Sequence, residues 1–287
     1  MNKLVLIPVL LAAVGCQQDT KNLERKLDQI IAKLDKMPAG GAGAAAQRPQ
    51  RPEPDRAKTY AVPIDGDAFD GPADAKVTLV KAYDYACPYC EKVRPTMEEL
   101  HKKYGNDLRV VYKQLVVHPR NAMAAALAFC AAGKQGKHKE MDALLWDKGF
   151  KARNMDLSDV PPAAEKQQGA EKAGPQKCWD TAEGCKATVA FATELQLDLN
   201  KFKADMKGEC QQIVQNDMKA LSALGVAATP GFFVNGRFLS GAMPIENFSA
   251  LIDEELKKAN ERIQQGTPAA SYYQQWVIDK GQKTLAK

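Results

Sequence analysis

From Leu23 onward, apolar residues recur at steps of 4, 3, 4 and 3: Leu23, Leu27, Ile30, Leu34 and Met37. Glu24, Arg25, Lys26, Asp28, Lys33, Asp35 and Lys36 surround them, which is a heptad seam on a short helix. Little more than two heptads is marginal alone, so the stripe needs a covering surface. Self-association through residues 20–37 is the favoured reading, with the membrane surface and the main domain as the other candidates. The periodicity stops at Pro38. Residues 38–58 open on Gly and Ala and continue through Pro49, Pro52 and Pro54, which reads as a flexible, then extended, linker.

Beyond the linker the period changes. Residues 60–76 read as a strand and turns, and Val77 to Tyr83 (VTLVKAY) as a short β-branched strand. Val93, Met97, Leu100 and Tyr104 then mark one face of a helix, and Leu108 to Val117 a second apolar strand. Strand, helix and strand in that order predict a parallel β-α-β unit. A largely helical region follows over about 119–226. It has helices at Ala122 to Ala132, Lys139 to Trp146, Thr188 to Leu197 and Cys210 to Leu224, with a polar surface loop over 151–177. Phe232 to Val234 and Phe238-Leu239 form a hairpin about Asn235-Gly236. Pro244 to Asn260 closes the domain as a helix with Phe248, Leu251, Ile252 and Leu256 on one face. The fold class is α/β, with the folded domain over 59–264. A helical tail, 265–287, carries Tyr272, Tyr273, Trp276 and Val277 onto its surface.

The chain of 287 residues is 45% hydrophobic, ample for a core, and its net charge of +5 comes from 40 basic and 35 acidic residues interspersed along it. That excludes an electrostatic case for nucleic acid. The first residues change the picture more. Lys3 and the apolar run Leu4 to Val14 read as a signal segment over 1–15, too short to span a bilayer as a mature helix. Ala13-Val14-Gly15-Cys16 resembles a bacterial lipobox, which implies lipidation at Cys16; an ordinary signal peptide with an incidental cysteine is the other reading. Gln17 in place of aspartate favours the outer membrane. Either reading places the domain in the cell envelope, the periplasm, where disulfides persist.

The candidate chemistry is Cys87-Pro88-Tyr89-Cys90, set where a strand delivers the chain to a helix N-terminus. Unpaired N–H groups and the helix dipole lower the pKa of a thiol there, so Cys87 is the expected nucleophile and Cys90, one turn in, the resolving thiol. A structural disulfide or half a zinc site are the bland alternatives. Pro95 falls five residues after Cys90, where proline kinks a helix. Far downstream, Thr229-Pro230 precedes the Phe232 strand; it could simply open that strand.

Together these motifs resemble the thioredoxin superfamily, whose members hold a cis-proline opposite the active-site cysteines. The resemblance implies that Thr229 offers its backbone to an extended substrate segment. A helical insert between two halves of that fold, and His118-Pro119 before an Ala-rich helix, resemble the DsbA family of exported disulfide oxidoreductases. The resemblance covers about 60–260. It implies protein substrates with thiols or disulfides and a membrane redox partner, and no metal or organic cofactor. DsbA has a histidine where this chain has Tyr89. Losing that cation implies a potential nearer the middle of the superfamily range, roughly −120 to −270 mV, than its oxidising end. Oxidation is the family default, isomerase or reductase work the runner-up, and Cu(I) handling by the two thiols a more distant third.

Four cysteines remain, allowing three pairings. Local closure favours Cys178–Cys185, which leaves Cys130–Cys210 as a staple between two helices; Cys130 could instead be a small buried apolar residue. His101, His118 and His138 show no zinc spacing with cysteine.

Overall fold

A computed structural model describes residues 17–35, 53–160 and 175–285. The signal segment, Cys16, Met37 and most of the 38–58 linker lie outside these, as do residues 161–174 of the polar loop. Gln17–Asp35 form one helix, α1, on which Leu27, Ile30 and Ile31 are exposed.

The second unit holds a five-stranded sheet in the order β1-β3-β2-β6-β7: β1 Phe69–Asp70, β2 Val77–Tyr83, β3 Leu108–Gln114, β6 Gly231–Val234 and β7 Arg237–Ser240. β2 and β3 run parallel; the other three pairings are antiparallel. All seven residues of β2 are buried, which is why it reads as a continuous run: a central strand covered on both faces has no solvent side to alternate with. On one face Val77, Leu79, Phe232 and Val234 pack against Met97, Leu100, Phe248 and Ile252. On the other, Val80, Val111 and Phe233 meet Leu221, Leu224, Tyr273 and Val277.

The residues predicted for a single helix after Cys87 form two, α2 Pro88–Lys92 and α3 Arg94–Tyr104, joined at Val93 with Pro95 in the first turn of α3. Proline is well placed there, because the missing N–H would have lacked a partner anyway. Over 60–76 only Phe69–Asp70 joins the sheet, on its outer edge. β3 stops at Gln114 rather than at Val117, because the N–H groups of Val117 and His118 turn away to the carboxylate of Asp84.

The helical insert contains α4 Pro119–Gly133, α5 His138–Leu144, α6 Lys186–Glu194, α7 Leu199–Lys207 and α8 Glu209–Ala223. Between α5 and α6 lie a wide turn over Leu145–Phe150 and a two-strand ladder, β4 Asp159–Val160 with β5 Gln176–Lys177, where the sequence suggests only loop. The alanines of α4 let it approach its neighbours closely. Its core includes Phe129, Trp146, Phe191 and Phe202. The sequence pattern does not reveal α7, whose start is capped by the Asp198 carboxylate accepting from the N–H groups of Asn200 and Lys201. Cys130 on α4 is bonded to Cys210 on α8, and Cys178 to Cys185 at the start of α6. α9 Ile245–Gln264 and α10 Ala269–Tyr272 complete the unit. The tail is more than a surface cover: Tyr272, Tyr273 and Val277 are buried, and the Tyr273 hydroxyl donates to the Val62 carbonyl at 2.9 Å.

Candidate active site

Two features of β2 and β6 bring the site together. The hairpin between β6 and β7 turns through Asn235 and Gly236, both with positive φ, 43° and 83°. A side chain at Gly236 would put its Cβ 2.6 Å from the Tyr60 carbonyl oxygen, so the close approach requires glycine. Asn235 then pins the turn to β2: its Oδ1 accepts from the Thr78 N–H at 2.8 Å, and its own N–H donates to the Thr78 carbonyl at 2.9 Å. With that register Ala82 lies opposite Gly231. Thr229-Pro230, just before Gly231, therefore arrives beside the turn that follows β2. The Thr229-Pro230 bond is cis.

Cys87 caps α2 in an extended conformation, with Pro88 in the first turn. It is 4% exposed and Cys90 is fully buried; both thiols are free. As a thiol, Cys87 donates from Sγ to the Thr229 carbonyl at 3.3 Å. As a thiolate it has better company. Its pKa falls to about 5, first because the Cys90 thiol donates to it, and also because the Thr229 side chain and the N–H groups of Cys90 and Tyr89 stand by; burial opposes the shift. The Thr229 hydroxyl is buried and makes no hydrogen bond in this geometry, so it is available to whichever sulfur carries the charge. Burial, and the Cys87 sulfur beside it, push the Cys90 thiol far up. The pair thus keeps one proton, on Cys90. Tyr89 is 61% exposed and projects from the turn, away from the buried sulfurs.

One residue of the site has no motif to announce it. Asp84, fully buried between β2 and the cysteines, accepts at Oδ1 from the Ala86 N–H (2.6 Å) and at Oδ2 from the N–H groups of Val117 (2.7 Å) and His118 (2.8 Å). His118 Nδ1 lies 3.2 Å from the same Oδ2. The backbone carbonyl of Asp84 accepts from the Cys87 N–H at 3.1 Å. A single carboxyl group therefore clamps the start of α4 to the Cys87–Cys90 turn, and both of its buried oxygens have donors. A lone acidic residue after an apolar strand was the only sequence signal for it.

Of the remaining sequence candidates, Cys130, Cys210, Cys178 and Cys185 are away from the thiols, in the helical insert. His101 and His138 lie elsewhere too, with His138 Nε2 3.0 Å from Asp70.

A family model described as Thioredoxin matches residues 65–254. The fold is similar to that of oxidised BdbD from Bacillus subtilis: TM-score 0.51, 20% identity, covering 72% of this chain and 100% of that one. It is also similar to a variant of alpha-DsbA1 from Wolbachia pipientis, with TM-score 0.52 and 17% identity over 70% of this chain and 96% of that one. Among curated proteins, Na(+)/H(+) antiporter NhaA 1 of Salinispora arenicola is 33% identical over 199 residues, 67% of this chain. The chain spans about a quarter of the length of the curated relatives it matches.

Proposed function

The chain belongs to the thioredoxin family, and on that premise we propose that it is an exported thiol–disulfide oxidoreductase acting on protein substrates through Cys87 and Cys90. The observation that carries this reading is the asymmetry of the pair: a Cys87 sulfur whose pKa falls to about 5, beside a buried Cys90 that keeps its proton, both facing Thr229-Pro230.

At neutral pH the Cys87 thiolate attacks one sulfur of a substrate disulfide. A mixed disulfide forms, and the other substrate sulfur leaves as a thiolate. Cys90 then gives up its proton and attacks the Cys87 sulfur, closing the Cys87–Cys90 disulfide and releasing the second substrate thiol. Two electrons have moved from the chain to the substrate; oxidation of a substrate dithiol is the same sequence reversed. Thr229 would align an extended substrate segment by its backbone, and Pro88 and Tyr89 would shape the turn. A membrane redox partner would return the pair to its working state. Lipidation at Cys16 would tether the domain in the envelope, preferably at the outer membrane.

Oxidation of exported proteins is the preferred direction. Isomerase or reductase work has one observation of its own: α1 exposes Leu27, Ile30 and Ile31, an apolar stripe that a second copy would cover, and paired copies suit isomerisation. The deciding experiment is twofold. Cys87→Ser should abolish disulfide exchange, and turnover surviving in that variant would end the enzymatic reading. Equilibration of the wild-type pair against glutathione then gives the direction. A potential near −120 mV supports an oxidase, and one near −270 mV a reductant-fed isomerase or reductase.

A further inference from the structure

The second unit buries two lysines in neighbouring strands and treats them differently. Lys113 on β3 has two carboxylates, Asp67 at 2.7 Å and Asp217 at 2.6 Å, and all three side chains are 5% exposed or less. This is the usual arrangement, since a buried charge without a counter-charge is costly. Lys81 on β2 is 3% exposed and, among the described residues, makes no hydrogen bond and no ion pair. Its Nζ rests on two aromatic faces, 4.4 Å from the Tyr83 ring centre and 5.0 Å from that of Tyr112. The Nζ itself still reaches the solvent of the pocket that its side chain lines.

The backbone at Lys81 is fixed, because β2 is held by β3 on one side and β6 on the other. Its side chain lines a pocket of 210 Å³ between the sheet, α3 and α5, together with His101, Lys139 and Arg94, the last paired with Asp147 at 2.8 Å. Of the pocket's carboxylates, Asp70 is engaged at both oxygens and Asp142 at one. Asp70 accepts from the Tyr112 hydroxyl (2.7 Å) and pairs with His138 (3.0 Å) and Lys139 (2.9 Å). Asp142 Oδ1 accepts from the Tyr85 hydroxyl (2.7 Å) and from Trp146 Nε1 (3.1 Å). Glu98 is on the exposed face of α3. Neither of these part-buried acids forms an ion pair with Lys81, and the ammonium is left as a reachable donor with three hydrogens.

We propose that this pocket binds a small monocarboxylate, with Lys81 as its buried counter-charge and Arg94 and Lys139 flanking it. The volume admits a few heavy atoms. Asp70, Glu98 and Asp142 around the wall disfavour a second negative charge, which selects a monoanion over a dianion such as sulfate. The site is separate from the Cys87–Cys90 pair and would exist whichever way that pair moves electrons.

The test uses the full chain, with acetate as probe, sodium chloride at matched ionic strength as the control and sulfate as the dianion. Acetate should raise the melting temperature along a saturating curve that chloride does not reproduce, and sulfate should raise it less. Lys81→Met keeps the stem and removes the charge; it should melt no lower than wild type without ligand and lose the acetate response. Ala143→Leu, which fills the pocket from α5 and keeps Lys81, should lose the response too, and decides the matter if Lys81→Met does not fold. An acetate response equal to that of chloride, or one retained in Ala143→Leu, overturns the proposal. Lys81 is then served by its two rings and solvent alone.

Discussion

The same element, sulfur in cysteine, is put to opposite uses a few helices apart. In the turn after β2, Cys87 and Cys90 sit at the mouth of a five-residue helix, one proton between them, with an unengaged Thr229 hydroxyl alongside. In the helical insert, Cys130–Cys210 closes a separation of 80 residues and Cys178–Cys185 one of 7. Hydrogen-bond donors decide the difference. The turn offers Cys87 thiol and N–H donors that favour a thiolate, whereas Cys130 and Cys210 are bonded to each other between α4 and α8. Reactivity is thus written in the surroundings, and stability in the length of chain that a bond closes.

The strongest way to break this comparison is to exchange the consequences. Cys87→Ser should remove all turnover while leaving the stability of the reduced chain at pH 5, where the Cys87 thiolate contributes little, within about 1 kcal/mol of wild type, as small isosteric changes usually do. The double variant Cys130→Ala/Cys210→Ala should do the reverse. Closing 80 residues restricts the unfolded chain by about 4 kcal/mol, so the double variant should unfold that much more easily while each folded molecule exchanges disulfides normally. Loss of exchange in the folded double variant would mean that the staple has a redox role as well.

A finer version contrasts the two staples. By the same chain-entropy argument, a separation of 7 is worth about 2 kcal/mol, so Cys178→Ala/Cys185→Ala should cost roughly half as much in urea unfolding. If it costs more than the long staple, local geometry at the start of α6 outweighs loop length.

How much of this was legible beforehand depended on whether meaning lay within a few residues or across the fold. Cys87 to Cys90 declares itself, since the spacing, the preceding strand and the following helix are contiguous. Thr229-Pro230 is legible because the hairpin after it carries Asn235-Gly236, whose turn chemistry is local. Asp84 is different. It is significant because it holds the N–H groups of Val117 and His118, more than thirty residues on, and no pattern near Asp84 records that. The same contact explains why the β3 strand ends early. Lys81 reads as a polar residue in an apolar run, and only the sheet shows that it is buried without an acid. α7 escapes notice because just two of its nine residues, Phe202 and Met206, are buried among charged neighbours. Two buried side chains are too few to make a period.

The pH dependence is the most diagnostic effect, because its sign is fixed in advance. In the reduced chain Cys87 has a folded-state pKa near 5 against about 8.5 unfolded. A depressed pKa contributes stability that is fully present above the unfolded value and is lost as pH falls towards the folded one. Between pH 5 and 8.5 the reduced wild type should therefore gain stability relative to Cys87→Ser, by at most about 1.4 kcal/mol per pH unit. Cys90 does not blur this window, since its folded pKa is raised and its contribution changes only above the unfolded value. Asp67 does act within it. Burial and the Asp217 carboxylate raise its pKa, so its contribution fades as pH rises; it is common to both chains and cancels in the difference. Urea unfolding of both proteins under reductant at pH 5.5, 6.5 and 7.5 measures the slope. A difference that is flat, or that shrinks as pH rises, would mean that Cys87 is no more a thiolate in the folded chain than in the unfolded one. The contrast between the two kinds of cysteine would then rest on geometry alone.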